Sequence, residues 1–573
     1  MNSKKKYYVL GIVWSIIFSI VSYRIINRSG FDYGFHMARI VGLAQSIRNF
    51  NFLPNINFIF SFGTGYASPM FYGNWLLYIP AIIYVITKST LLTYTVYGTL
   101  INVFTFTAAF YVYSDISGQK KRSFWLACVT PVFFPLYGFG MTAVVPLCIL
   151  LIHALFLILI KGEKKVLYLG VVAALLIQTH LLSTFVLIIY FIVFSLFNLS
   201  SLNFKKIQNL LLSAAISISL SIGFLAQFLE QQFSQTFFYK WNTRDVPRKS
   251  SGMFNTKSII KTISEQVDYG GFASITTPLF SLIVLSFAVF LLKTEIKNFT
   301  QLAKTLSIIV VSSIILVTDL FPWKRFQHTF LGSFQYPYRL IYFIPVIIII
   351  VYLLSLSEKQ IKYFSILSIA FFITSTLFVV QIDKEKQKSL NERFRSVYYG
   401  NTDVFINPVG NEYYTIDIDS NKVKENNFKS FDKLNNVTIS NIEYSYNLIE
   451  FDYKIINEKL DSSIVVPRIW YKGYVAEYSN GGLGNQPKLE TNSFSNKELE
   501  NNEKMKRNFS NDKILNDGKI YLKFQNSGHV AIKYKKTYTQ IIGITLEVIF
   551  WIISCLIVVK RYDLMSKKKP FGL

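Results

Sequence analysis

Asp32, His36 and Arg39 fall at i, i+4 and i+7 within Gly30-Phe31-Asp32-Tyr33-Gly34-Phe35-His36-Met37-Ala38-Arg39-Ile40. A helix over this stretch carries an acid, an imidazole and a guanidinium on one face. Such a trio, just beyond the first hydrophobic segment, has the chemistry to hold a polar substrate and remove its proton. A plainer reading stands beside it: Asp32 caps a helix that begins at Tyr33, and His36 and Arg39 face lipid headgroups. Two later motifs carry related chemistry. Gln178-Thr179-His180 sits between short apolar runs, where the histidine binds a phosphate, relays a proton or satisfies helix-end carbonyls. Phe334-Gln335-Tyr336-Pro337-Tyr338-Arg339-Leu340 opens an apolar segment with an arginine at its start, near Lys324 and Arg325. Free helix-start N–H groups beside that arginine would make an anion site.

The elements that must position these residues are mostly hydrophobic. The chain has 573 residues, 51% of them hydrophobic and 17% aromatic. Runs such as 124–134, 144–160 and 166–177 indicate a polytopic α-helical membrane protein. The formal charge of +26 is scattered in short clusters between apolar segments, as topology signals and lipid contacts require. No motif for nucleic-acid readout accompanies it. Cys128, Cys148 and Cys555 all lie in apolar segments, so no disulfide framework or zinc site is expected. Lys4–Lys6 followed by 7–26 reads as an uncleaved first span.

Further expected spans are 91–113, 124–137, 141–160, 166–179, 181–197, 210–228, 275–292, 306–320, 340–356, 363–380 and 541–559. The apolar stretch 75–86 is short and contains Pro80. If it lies at the interface, the short basic loops all fall on one side, giving about twelve spans with both termini cytoplasmic. A crossing there would make thirteen. On the twelve-span reading the turn at His180 and the segments 27–90, 230–271, 321–338 and 382–540 face outward, converging on an external site. The first of these continues through the glycine- and aromatic-rich 61–73, read equally as an aromatic plug or a substrate contact.

Residues 1–381 thus form the multispan domain with its external loop at 27–90. Residues 382–540 form an external β-rich, sandwich-like domain, with 541–559 the last span and 560–573 a basic cytoplasmic tail. Expected strands are 437–446, 448–455, 464–478, 519–524 and 529–534, with turns at 480–482 and 517–518 and a loop at 491–512.

Phe31-Asp32-Tyr33-Gly34-Phe35-His36 with Arg39-Ile40, then Pro69-Met70-Phe71-Tyr72, Thr179-His180-Leu181-Leu182-Ser183 and Phe334-Gln335-Tyr336-Pro337-Tyr338-Arg339 occur in this order. With Pro467–Tyr474 and Gly528–Tyr534, they make the chain resemble bacterial YfhO-like membrane proteins, also labelled 6-pyruvoyl-tetrahydropterin synthase-related. That family resembles the GT-C superfamily of integral membrane glycosyltransferases. The resemblance implies a GT-C-like fold in a bacterial plasma membrane. It implies sugar transfer from a polyprenyl-phosphate donor to an envelope glycopolymer or glycolipid at the outer face. On this likeness Asp32 is the catalytic carboxylate, as general base or ligand of a divalent metal, and His36 belongs to the same centre. Arg339 holds the donor phosphate, with Arg39, His180 and Gln335 on the substrate. A lipid or polysaccharide transporter and a non-enzymatic envelope scaffold are the alternatives. Nearly all charges lie at span ends, which disfavours the transporter.

Overall fold

A computed structural model describes residues 3–25, 33–135, 140–235, 237, 273–318, 320–326, 329, 331, 337–382, 413–415, 418, 430–479 and 518–567. Asp32, Gln335, His328 and the 491–512 loop lie outside these residues.

The amino-terminal half is helical. α1 (Ser3–Ile25) packs along α5 (Thr90–Ser117), and between them in sequence come α2 (Tyr33–Arg48), the single turn α3 (Ser68–Phe71) and α4 (Tyr78–Thr87). α5 starts where the Ser89 side chain accepts the Leu92 N–H and stops at Gly118. α6 (Lys120–Val129), α7 (Val145–Leu155), α8 (Val166–Thr179), α9 (Leu181–Leu196), α10 (Phe204–Leu220) and α11 (Ile222–Ser234) follow. After them come α12 (Ala273–Lys293), α13 (Gln301–Leu316), the turn α14 (Trp323–Phe326), α15 (Ile344–Ser355) and α16 (Glu358–Ile382). α15 has no polar stripe, and every residue from Ile344 to Leu353 is buried, so it forms the centre of the bundle.

Among the described residues, four helical stretches are long and apolar enough to cross a bilayer: 5–22, 90–117, 142–160 and 538–560. The α10–α11 pair makes a fifth if its 71° bend is one broken span. That break corrects the expectation of one continuous helix over 210–228. α8, α9, α13 and α15 are shorter, at 14, 16, 16 and 12 residues. The segment expected to start a helix at Arg339 instead opens as a 3₁₀ turn, Pro337–Ile341, ahead of α15. α4 has 10 residues, about 15 Å of helix, against the ~30 Å of a bilayer's apolar core.

The carboxy-terminal part is a small β region of two antiparallel sheets, ordered β1-β4-β6 and β2-β3-β7-β5. Its strands are β1 (Asp432–Asn435), β2 (Val437–Ser445), β3 (Leu448–Ile455), β4 (Ser462–Ile469), β5 (Tyr474–Ser479), β6 (Lys519–Phe524) and β7 (Gly528–Tyr534). The single strand expected over 464–478 is two, split by a turn at Lys472-Gly473 and assigned to different sheets. α17 (Tyr538–Lys567) then closes the chain.

Two hydrophobic cores result. One fills the helix bundle; the other joins α2, the first loop and both sheets around Phe60, Tyr66, Met70, Phe451, Ile464 and Ile532. The first loop is bound to the β region throughout. Ile469 N donates to Thr64 O (3.1 Å), Tyr446 Oη to Ser46 Oγ (2.8 Å), and the buried Arg468 to Gly63 O while covering the Phe58 ring.

Candidate functional site

α2 is buried almost all round, because the first loop and the β region cover the face it turns from the bundle. His36 and Arg39, three residues apart, are adjacent on it and only 3% and 5% exposed. Their burial rules out the lipid-headgroup reading. Arg39 Nη2 donates to Gly73 O (2.8 Å), Nη1 meets His36 Nδ1 (3.3 Å), and the guanidinium lies 4.8 Å over the Tyr72 ring. Its Nε is buried with no hydrogen-bond partner. Among the described residues no carboxylate comes within ion-pair distance of it. A buried guanidinium held only by carbonyls and rings is short of negative charge.

His180 approaches from the α8–α9 junction. It is the last residue before α9 and caps that helix through its ring: Ser183 N donates to Nδ1 (3.2 Å). The Tyr72 ring lies 5.4 Å away, tilted by 38°, and Gly140 lies against the Nε2 edge. A backbone N–H can only donate, so Nδ1 is bare and Nε2 carries the proton. The same logic applies to His36, whose Nδ1 faces an arginine that can only donate. Burial first, then Arg339, then Arg39, pushes His180 down to about 3. Burial, Arg39 and His180 push His36 well below its ordinary value. Both rings are therefore set up as neutral N–H donors at neutral pH.

The structure thus sets His36 and Arg39 side by side on α2 and His180 at the α8–α9 junction close enough to feel both Arg39 and Arg339, the latter in the turn before α15. Two cations and two neutral N–H donors suit an anion rich in acceptor oxygens, as a phosphate is. They do not suit a divalent cation. Both bare ring nitrogens are engaged, arginines surround them, and no metal-competent group of three His, Cys, Asp or Glu occurs among the described residues. No step is assigned to a metal.

Three features had no individual role in the sequence reading, although Tyr72 and Gly73 belong to the 61–73 segment weighed there as an aromatic plug or a substrate contact. The first is the segment Tyr72–Trp75, which ties the two halves together. Gly73 O holds Arg39, and Trp75 Nε1 donates to Thr179 Oγ1 (2.9 Å). A Cβ on Gly73 would sit 1.9 Å from Gln178 O, so only glycine allows this approach. The second is Tyr413, stacked on Phe71 at 4.3 Å and edge-on to Tyr72, its carbonyl accepting from Tyr471 Oη (2.8 Å). The third is Glu547, the one charged residue between Lys536 and Lys560 in an otherwise apolar helix. A lone acid in such a run was the available signal. Comparison with protein-family models and with curated proteins finds no match to the chain.

Proposed function

We propose that the chain is a multi-pass glycosyltransferase of a bacterial plasma membrane. It moves a sugar from a polyprenyl-phosphate donor to an envelope glycopolymer or glycolipid at the outer face, on a GT-C-like fold of about twelve spans. The observation that carries the reading is the buried Arg39 guanidinium, set beside His36 with no described carboxylate within ion-pair distance, while the charges of Arg39 and Arg339 both act on His180.

The membrane setting is supported by aliphatic side chains turned outward along α1 (Val9, Val13, Ile16, Ile20) and α17 (Ile549, Ile552, Leu556, Val559). Surfaces of that kind and extent fit lipid better than water. α4 turns Ile79, Ile82 and Ile86 outward beside the exposed Phe50, Phe52 and Leu53, and Lys536 Nζ reaches Leu53 O (2.5 Å) just before α17 begins. This ridge packs on α5 and touches the chain just before α17, and its exposed apolar side chains suit the headgroup boundary of a bilayer.

In the proposed reaction Asp32 takes the proton of the acceptor hydroxyl, and that oxygen bonds to the anomeric carbon. The bond from that carbon to the phosphate oxygen breaks, and polyprenyl phosphate departs. Arg39, Arg339 and the Nε2–H groups of His180 and His36 oppose the charge growing on the leaving phosphate. The full-length protein in nanodiscs is titrated with a short-chain polyprenyl phosphate, and the envelope carbohydrate of an Asp32→Asn strain is compared with its parent. Saturable binding lost in Arg39→Leu, together with lost glycosylation at unchanged protein level, supports the reading. Equal binding by Arg39→Leu overturns the pocket assignment, and full glycosylation by Asp32→Asn removes that residue from the mechanism.

A further inference from the structure

Glu547 has no part in the reaction above, yet it sits inside α17 at the break between α10 and α11. Its Oε2 accepts from Phe224 N (3.0 Å), capping α11, and its Oε1 accepts from Gln178 Nε2 (3.0 Å). Gln178 Nε2 also donates to Leu220 O (2.7 Å), the last residue of α10, which receives Trp551 Nε1 as well (3.0 Å). Backbones come close here: a Cβ on Gly543 would lie 3.2 Å from Gly223 Cα. The broken ends of α10 and α11 are thus satisfied by one carboxylate, one amide and one indole, two of them from α17. In an apolar surrounding such groups are retained only where something depends on their geometry.

Gln178 is also where α8 meets the pocket. Its carbonyl abuts Gly73, whose own carbonyl holds Arg39, and the next two residues are Thr179, bonded to Trp75, and His180. We infer that Glu547 is a positioning residue for the phosphate pocket: through Gln178 it fixes the α8 end, and so sets His180 against Tyr72–Trp75 and Arg39. The inference rests on the phosphate-pocket reading for its consequence, though the positioning itself is independent of any ligand. It gives the last helix a role at the site besides anchoring the chain.

The test is a double-mutant cycle on the full-length protein in nanodiscs, because residues acting through one another are non-additive. The first readout is the ring ¹⁵N signal of His180, assigned by its loss in His180→Gln. The charged groups facing that ring are Arg39 and Arg339, with neutral His36 beyond. The wild type should show one Nε2–H tautomer that does not titrate between pH 8 and 5. Gln178→Leu and Glu547→Ala should each restore titration in that window and weaken short-chain polyprenyl phosphate binding about tenfold, roughly the loss of one charge-assisted hydrogen bond. The double variant should be no worse than either single one. Gln178→Leu leaves the α11 cap intact, so it decides the matter if Glu547→Ala does not fold. A fixed, non-titrating His180 in Gln178→Leu overturns the inference, as does strict additivity in the double variant. If Arg39→Ala binds the probe like wild type, the phosphate reading falls while the His180 signal still judges Glu547.

Discussion

Arg39 illustrates how a buried charge separates binding from stability. If it served only the fold, removing it would leave Gly73 O and the Tyr72 face without a partner and destabilise the protein. If it is held for an anion, its buried charge costs stability until that anion binds. We therefore expect Arg39→Leu to keep or raise the melting temperature, since a buried charge without a counter-charge is itself costly. It should at the same time abolish stabilisation by a polyprenyl phosphate; thermal shift with and without the lipid reads both. Arg39→Lys should bind at least about tenfold more weakly, because a lysine cannot both fork to carbonyls and stack on Tyr72. The histidines make a second prediction. Their folded values lie below the unfolded one of ~6.5, so above that pH neither state gains protons. As pH falls below ~6.5 the unfolded chain takes up protons that the native one resists, and stability drops by up to ~1.4 kcal/mol per pH unit for His180, down to about pH 3, with His36 adding in the same direction. Denaturation midpoints measured from pH 7 to 4 check the slope, which His180→Gln should reduce. At this scale much was legible. The spacing of His36 and Arg39 placed them side by side, and the position of His180 between apolar runs marked a turn. Glu547 and Gln178 were not, because their meaning is a contact between residues 369 apart in sequence.

Helices and strands show which patterns a sequence exposes. β3 alternates buried and less buried residues as a half-covered strand should, and its limits were readable. β4 is buried at every position, since the first loop covers what would otherwise be its open face, so it looked like part of one long strand. The break at Ser221 left no mark because no proline stands there; partners on α8 and α17 stabilise it. The connection Tyr72–Trp75 yields the sharpest element-scale prediction. Gly73→Ala should drive the α8 end away from Arg39 and lose polyprenyl phosphate binding outright, whereas Gly34→Ala, with open space around its Cβ, should leave binding unchanged. Binding isotherms on purified protein compare the two. For α4, a spin label at Ile82 should be reached by oxygen dissolved in lipid at headgroup depth; water-like accessibility would remove the ridge from the membrane surface.

For the whole molecule, the β region is built onto the first loop, and α11 is tied to the start of α17 beside it. Tyr413 N donates to Tyr66 Oη (3.0 Å), Tyr414 and Ser61 share a 2.5 Å hydrogen bond, and Glu230 at the end of α11 accepts from Thr537 and Gln540 at the start of α17. Deleting 382–540 should accordingly unfold the first loop and cost all phosphate binding. A binding-competent remainder, measured by the same isotherm, would show the pocket to be self-sufficient. The central claim is that one phosphate bridges Arg39 and Arg339 beside His180. The most direct measurement is a density map of the full-length protein in nanodiscs with a polyprenyl phosphate. The account predicts phosphate density within about 3 Å of both guanidinium groups and of His180 Nε2. Phosphate density elsewhere on the outer face, with this pocket closed to it, would contradict the account.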